Sequence, residues 1–273
     1  MKSNVLKMDI YQPFAHYREP KIMQDDFIPT LSLPTPTTVS GLISYLIDRQ
    51  AKSIFKIGIV GSYENKVVHF MRGETGEFWR KFSSFTKKKK VNNVNYNDWF
   101  TFFKDKKAKN RIMNFEILQD VNLTIFISVE DHKEYRMIKE ALENPRKYLA
   151  LGRKEDFFVP KKPGKIVQEV TINEVDIKNK KQAIIKNSLL KNTYIPVSLN
   201  SKSEREEMKN RLRTGVLYTL PKTYKDLLAD KKDRMLVYGH YIYLNDEGYY
   251  PSSGKVQVYE DEYTKKTITF QWL

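Results

Sequence analysis

Four side chains near the amino terminus are of the types that cleave RNA without a metal. They are Tyr11, His16, Tyr17 and Lys21. Metal-free cleavage needs a general base for the 2′-hydroxyl group, a general acid, and a cation that stabilises the charge on phosphorus; histidine, tyrosine and lysine supply all three. A second interpretation is that His16 is a polar loop residue that contacts phosphate. The sequence leaves both interpretations open.

Other kinds of chemistry find little support in the sequence. The chain has no cysteine, which excludes disulfides and thiolate metal sites, and its four histidines are scattered. The segment from Gly248 to Val256 resembles a phosphate-binding loop only superficially, because its spacing is one residue too long and it lacks the hydroxyl residue. The dinucleotide, zinc-protease and serine-hydrolase motifs do not occur. We therefore predict no cofactor and no bound metal.

The charge of the chain indicates a polyanionic partner. The sequence has 48 basic and 33 acidic side chains, a formal net charge of +15. Residues 79–111 alone hold eleven Lys or Arg, two Asp and eight aromatic residues. Basic side chains neutralise phosphates and aromatic faces stack on unpaired bases, although a solvated lysine-rich loop closed by its own aromatic residues has the same composition. The contact candidates in this segment are Trp79, Arg80, Lys81, Lys87 and Lys88.

Alternating strands and amphipathic helices must position these residues. Val5–Phe14 alternates like a half-buried strand, and Thr35 and Pro36 suit the N-cap and first position of a helix. A second helix is predicted to run through Ile138 to Leu149, and "LGRKEDF" would close it with Gly152 just past its end. The turn from Gly152 to Lys154 presents backbone N–H groups beside two cations, which makes it a candidate phosphate cradle.

The order of these elements predicts an α+β fold. Strand, helix, strand, insertion, strand, helix and strand follow one another, which is the split β-α-β arrangement of a ferredoxin-like domain. We assign this domain to residues 1–190, with the basic-aromatic insertion at about 79–111. Residues 191–273 form a β-rich C-terminal region. No apolar run approaches the roughly 20 residues that cross a bilayer, so we expect a cytoplasmic protein without membrane contact.

Three segments together resemble one known family. The strand ending in "YQPFAHYREP", the "PTPTTVSGLISYLI" helix and the "LGRKEDF" turn are similar to CRISPR-associated Cas family five, and most similar to its type I-B branch. The resemblance implies a RAMP domain, related to the RNA-recognition motif, with a thumb that the insertion is placed to supply. It also implies a Cascade subunit that holds the 5′ handle of the guide crRNA. Its partners would be the backbone subunit and the large subunit, with target DNA reached through the complex.

The sequence thus predicts a non-catalytic RNA-binding scaffold that caps one end of an effector complex. The alternative is a metal-independent endoribonuclease that processes precursor crRNA; a basic protein-interaction module is a third interpretation. The glycine-rich C-terminal loop of the separate processing nuclease is absent, and no Lys-His pair occurs in that order. Outside the insertion, the predicted RNA contacts are His16, Arg18, Arg153 and Lys154.

Overall fold

The computed structural model describes most of the chain outside the insertion. The described residues are 4–19, 27–51, 55–74, 84, 110–197, 202–226, 234–261 and 265–273. The predicted contacts at Trp79, Arg80, Lys81, Lys87 and Lys88, and the candidate catalytic Lys21, lie outside the described residues.

Strands outnumber helices in the described residues. The helices are α1 (Pro36–Leu46), α2 (His132–Glu143), α3 (Lys180–Ile185) and α4 (Lys202–Arg211). The strands are β1 (Asn4–Ala15), β2 (Phe27–Ile28), β3 (Phe55–Ser62), β4 (Asn65–Glu74), β5 (Asn110–Val129), β6 (Val159–Pro160), β7 (Val167–Thr171), β8 (Asn173–Ile177), β9 (Thr193–Pro196), β10 (Gly215–Asp226), β11 (Arg234–Leu244), β12 (Gly254–Glu260) and β13 (Thr267–Phe270).

One large sheet dominates the molecule. Its ten strands include the path β10-β11-β9-β3-β5-β1-β6, with β2, β4 and β7 paired off that path. β1 lies between β5 and β7, β5 lies between β1 and β3, and all three pairings are antiparallel. A smaller sheet has the order β13-β12-β8. The predicted α+β class, with a large antiparallel sheet and few helices, is confirmed.

The core lies between the large sheet and the two longer helices. The apolar stripe of α1, which includes Val39, Leu42 and Ile43, joins alternate residues of β1 and β5 in one buried cluster. The other face of β1 is also covered near its start, because the Lys7 side chain is only 3% exposed. The prediction that β1 is half-buried is therefore wrong at the start of the strand, where Lys7 is covered, but Asp9 and Tyr11 on the same face are partly exposed.

The second helix is shorter than predicted. Asp131 is its N-cap, with Oδ1 accepting a hydrogen bond from the Glu134 N–H at 2.7 Å, and the helix ends at Glu143. The predicted continuation to Leu149 is wrong, because Pro145 lacks the N–H that the next turn needs. Gly152 consequently does not cap this helix. Its φ of +113° instead belongs to a separate turn.

The pairing of the strands can be compared with the predicted domain boundary and with the predicted insertion. β3 pairs with β9 through Val60 and Thr193, so the large sheet continues across residue 190, and the division into two domains stays a prediction. β4 pairs with the first half of β5 as far as Glu74 and Asn110, which places these two residues, on either side of most of the predicted insertion, next to each other. Among the described residues, no helix is both long and apolar enough to span a membrane.

Candidate nucleic-acid interface

The first turn of α1 is fixed by hydroxyl groups. Thr35 is the N-cap, as predicted, and its Oγ1 accepts a hydrogen bond from the Thr38 N–H at 3.2 Å. The Thr37 and Thr38 hydroxyls each lie 2.9 Å from the Thr35 hydroxyl. The first turn contains no acidic residue. The positive end of the helix dipole therefore keeps its attraction for an anion.

The "LGRKEDF" segment forms a tight loop around the buried carboxylate of Asp156. Asp156 Oδ2 accepts hydrogen bonds from the backbone N–H of Arg153 at 2.8 Å and of His16 at 3.0 Å. The Arg153 guanidinium pairs with the same carboxylate, with Nη2 at 2.7 Å from Oδ1. A Cβ at position 152 would lie 2.8 Å from Asp156 Oδ2, so the close approach requires Gly152.

The end of β1 fastens this loop to the sheet. Gln12 donates from Nε2 to the carbonyl oxygens of Leu151 and Asp156, both at 2.9 Å. The Tyr17 hydroxyl donates in turn to Oε1 of Gln12. We call Gln12, His16, Arg153 and Asp156 the loop clamp. It joins two of the three segments that carry the family resemblance.

The third segment meets the loop across an open cleft of about 690 Å³. One wall is α1, including Thr37, Thr38, Gly41 and Tyr45. The other wall is the 148–154 segment, including Tyr148, Arg153 and Lys154. We call this concavity the α1 cleft. Two of the three segments, the α1 helix and the loop, therefore form its walls, and the remaining one, the end of β1, is hydrogen-bonded to the loop.

Gly41 lies on the wall of the α1 cleft. A Cβ built at this position meets no heavy atom within 4 Å. The glycine therefore does not serve a close approach of α1 to its own sheet, one of the two roles that a mid-helix glycine suggests. The other role, close approach of a ligand, agrees with the open space in front of Gly41.

Aromatic and basic side chains border this cleft. Tyr45 and Tyr148 are 49% and 60% exposed, so the Tyr148 ring and one face of the Tyr45 ring are accessible to a ligand. Lys147 lies over the Tyr45 ring, with Nζ 4.6 Å from its centroid, and pairs with Asp48. Lys154 is exposed on the opposite wall. Phosphates and unpaired bases are the groups that such a combination binds.

His16 lies beneath this surface. Its ring is 3% exposed, Nδ1 lies 2.7 Å from the Glu116 carbonyl oxygen, and Nε2 is buried without a hydrogen-bond partner. Burial lowers the pKa of His16 below its usual value. The ring is therefore neutral at pH 7, and direct contact with RNA stays a prediction that requires the loop to open.

The other predicted contacts differ in their surroundings. Arg18 is exposed just beyond β1, and its backbone bridges to Thr30. The Arg153 guanidinium is 19% exposed and turned toward Asp156, whereas Lys154 is exposed. The structure thus brings Arg153 and Lys154 to the cleft, with His16 behind the loop.

Sequence reasoning missed three residues that build or border this site: Gln12, Asp156 and Tyr148. Gln12 had a signal, because it continues the buried face of Met8 and Ile10 with a polar side chain, which needs a partner when buried. Nothing in the local spacing distinguished Asp156 or Tyr148 from surface residues.

The chain is similar to known CRISPR-associated proteins. The family model described as CRISPR-associated protein (Cas_Cas5) matches residues 5–224. No curated protein matches the sequence. A chain of a CRISPR RNA-guided surveillance complex is 14% identical with a TM-score of 0.45, covering 89% of this chain and 90% of that one. A CRISPR protein from Archaeoglobus fulgidus is 12% identical with a TM-score of 0.40, covering 98% and 99%. TM-scores this low support no conclusion about function.

Proposed function

The chain belongs to the CRISPR-associated Cas5 family, and from this premise we propose that it is a non-catalytic RNA-binding subunit of a type I effector complex. In this role it holds the 5′ handle of the guide crRNA and caps the backbone of the complex. Its protein partners are the backbone subunit and the large subunit.

The order of the strands supports the finer assignment of the fold. β7, β1, β5 and β3 are neighbours in that order, α1 lies between β1 and β3 in the chain, and α2 lies between β5 and β7. This is the order of a split β-α-β domain, so we assign a ferredoxin-like RAMP domain. The basic-aromatic segment at the end of the β4–β5 pair is then the thumb.

The meeting of α1 and the loop at the α1 cleft, with the loop held by the end of β1, carries the functional proposal. The helix start offers the hydroxyl groups of Thr37 and Thr38, Lys154 offers a cation, and Tyr45 and Tyr148 offer ring faces. Phosphate binding by cations and helix starts, together with stacking on aromatic rings, is how proteins hold single-stranded RNA. A short handle of unpaired nucleotides matches these groups.

The described part of the alternative nuclease set gives little support for cleavage. His16 is buried behind the loop, and burial also raises the pKa of the Tyr17 phenol well above its usual value. The Tyr11 phenol donates to Asp120, and this hydrogen bond raises its pKa. His16 and Tyr17 are thus buried away from a substrate, and Tyr11, whose pKa is raised, is a poor proton donor or acceptor near pH 7.

Binding of a guide RNA by the purified full chain tests the proposal. Lys154→Glu should weaken binding of an RNA with the 5′ handle, by about 1–3 kcal/mol for one charge-assisted contact. It should leave a handle-scrambled RNA almost unaffected. Lys133→Glu, an equal charge change at an exposed residue of α2, is the matched control.

Three results would count against this proposal. Equal losses in both lysine variants would reduce the effect to net charge. Equal affinity for handle and scrambled RNA would remove the handle from the proposal. Site-specific cuts in repeat RNA that persist in EDTA and vanish in His16→Ala would establish the nuclease instead.

A further inference from the structure

We propose that a second cleft, on the opposite face of the large sheet, binds phosphate groups of a single-stranded nucleic acid. This lysine cleft has a volume of about 410 Å³, and its basic side chains are Lys161, Lys191 and Lys266. The inference does not rest on the α1 cleft, since the two clefts share no residue.

Strand alternation places the lysine cleft away from α1. Leu123 and Ile125 of β5 belong to the buried cluster that contains the α1 stripe. Asn122 and Thr124, their neighbours in the chain, line the lysine cleft. Because successive residues of a strand point to opposite faces, the two clefts lie on opposite sides of the sheet.

The positive charge of the lysine cleft is only partly compensated. Within the described residues, neither Lys161 nor Lys191 forms an ion pair. Asp9, the carboxylate that acts on Lys161, is engaged by Lys7 at 2.6 Å and by the Thr124 hydroxyl at 2.7 Å. At Lys161 and Lys191 the cleft therefore presents two cations that form no ion pair with the described residues.

Lys161 shows the effect of this crowding most clearly. Burial lowers its pKa from the usual value; Asp9 opposes the shift, while Lys266 and Lys7 lower the pKa further. An ammonium group among other ammonium groups in a concave site is stabilised when an anion enters. The occupied cleft should thus be more stable than the empty one.

Phosphate fits the chemistry and dimensions of this site. Its several oxygens accept hydrogen bonds from lysine, hydroxyl and amide groups, and Ser62 and Asn122 line the cleft beside the lysines. One face is open to solvent, so a chain can continue on both sides of the bound phosphate. A nucleic-acid backbone and a free nucleotide share this chemistry, and experiment distinguishes the two sources.

Lysine footprinting of the purified full chain tests occupancy directly. Acetylation of each lysine is followed by mass spectrometry, with and without a 20-nucleotide single-stranded oligonucleotide, and with ATP in a parallel sample. We expect the oligonucleotide to protect Lys161 and Lys191 at least threefold while Lys180 and Lys181, exposed on α3, stay reactive. Protection by ATP alone would assign the phosphate site to a free nucleotide. Absence of protection in both samples would overturn the proposal.

The salt dependence of oligonucleotide binding gives a second readout. The double variant Lys161→Gln/Lys191→Gln should reduce the log–log salt slope by about 1.4, at about 0.7 for each lost single-strand contact. Lys180→Gln/Lys181→Gln, which removes the same charge outside both clefts, should leave the slope unchanged. Equal slopes for the two double variants would overturn the proposal, provided that circular dichroism shows both to be folded.

The two proposals fail separately. Lys154→Glu should reduce the preference for handle RNA yet leave Lys161 protected, whereas Lys161→Gln/Lys191→Gln should lower the salt slope yet keep the preference for handle RNA. Loss of protection at Lys161 in the Lys154→Glu variant would mean that the lysine cleft depends on the α1 cleft, which contradicts independent sites.

Discussion

The loop clamp and the wall of the α1 cleft both include residues of the "LGRKEDF" loop, but their side chains have different surroundings. In the clamp, the charged carboxylate of Asp156 is fully buried and paired. On the wall, Lys154 and Tyr148 are exposed, and a Cβ at Gly41 would meet no protein atom. Buried and paired groups maintain a shape, whereas exposed groups remain available to a ligand. Substitutions in the clamp should therefore change stability, and substitutions on the wall should change binding.

The largest effect should come from Arg153→Ala. Removing the guanidinium leaves the carboxylate of Asp156 buried without its cation, and such losses cost about 3–5 kcal/mol of the free energy of unfolding. Arg153→Lys should recover part of this loss, because lysine keeps the charge but not the two-pronged pairing. Urea unfolding followed by circular dichroism measures both variants.

Lys154→Ala is the control on the wall, where we expect a change within about 0.5 kcal/mol. If Arg153→Ala were equally mild, the guanidinium would be dispensable to the loop. A loss of RNA affinity on changing Arg153 would then report direct contact with phosphate, the role predicted from the sequence.

The features that could be predicted from the sequence are those that local patterns encode. The N-cap at Thr35 and the alternation from Val5 to Phe14 are local patterns, and the structure has a helix capped by Thr35 and a strand at these positions. The α+β class follows from their order. The sequence predicts that Gly152 ends a helix. In the structure Gly152 lies instead in the close-packed turn beside Asp156.

The rest of the site depends on contacts between distant parts of the chain. Gln12 and Leu151 are 139 positions apart, and His16 and Asp156 are 140 apart. No local pattern encodes such a pairing, so His16 was expected at a surface and is in fact buried. The short α2 has a local cause: Pro145 terminates the helical pattern despite the apolar residues that follow.

The next largest effect should come from Tyr148→Ala on the wall. If a nucleobase stacks on this ring, its loss should weaken RNA binding by about 1–3 kcal/mol. The ring is 60% exposed, so the free energy of unfolding should change little. Fluorescence anisotropy with a labelled handle RNA measures the affinity. Tyr148→Phe is the matched control, because it keeps the ring face and should bind like the unchanged protein. Equal losses in both variants would place the hydroxyl group, and not stacking, at the contact.

A smaller effect should appear in the pH dependence of stability. The pKa of His16 is lowered by burial, and Arg153 and Arg18 also lower it, against opposing effects of the Glu116 carbonyl and Asp156. Below its ordinary pKa of about 6.5, the unfolded histidine takes up a proton that the folded one refuses. This contribution is therefore fully present above pH 6.5 and is lost as the pH falls through the folded pKa.

Urea unfolding at pH 7.5 and at pH 5 measures that loss. We expect a steeper decline in the unchanged protein than in His16→Gln, with a difference of at most about 1.4 kcal/mol per pH unit for one proton. The other histidines are common to both proteins, so they cancel in the comparison. Parallel declines would mean that the buried ring contributes no pH dependence.

The smallest effect is expected from Gly41→Ala, on the wall of the α1 cleft. This substitution should raise stability and weaken RNA binding, so the two properties should change in opposite directions. Alanine favours a helix over glycine by about 0.5–1 kcal/mol, and the new methyl group meets no protein atom within 4 Å, so the free energy of unfolding should rise. The same methyl group projects into the α1 cleft, where a closely bound RNA backbone would have to move away. Handle binding should then weaken although the protein is more stable. Ser40→Ala, the neighbouring change on α1, is the control; its hydroxyl bonds the Pro36 carbonyl, and its loss should leave RNA affinity unchanged. Unchanged RNA affinity in Gly41→Ala would show that no ligand approaches this part of α1, and would move the contact toward Tyr148 and Lys154.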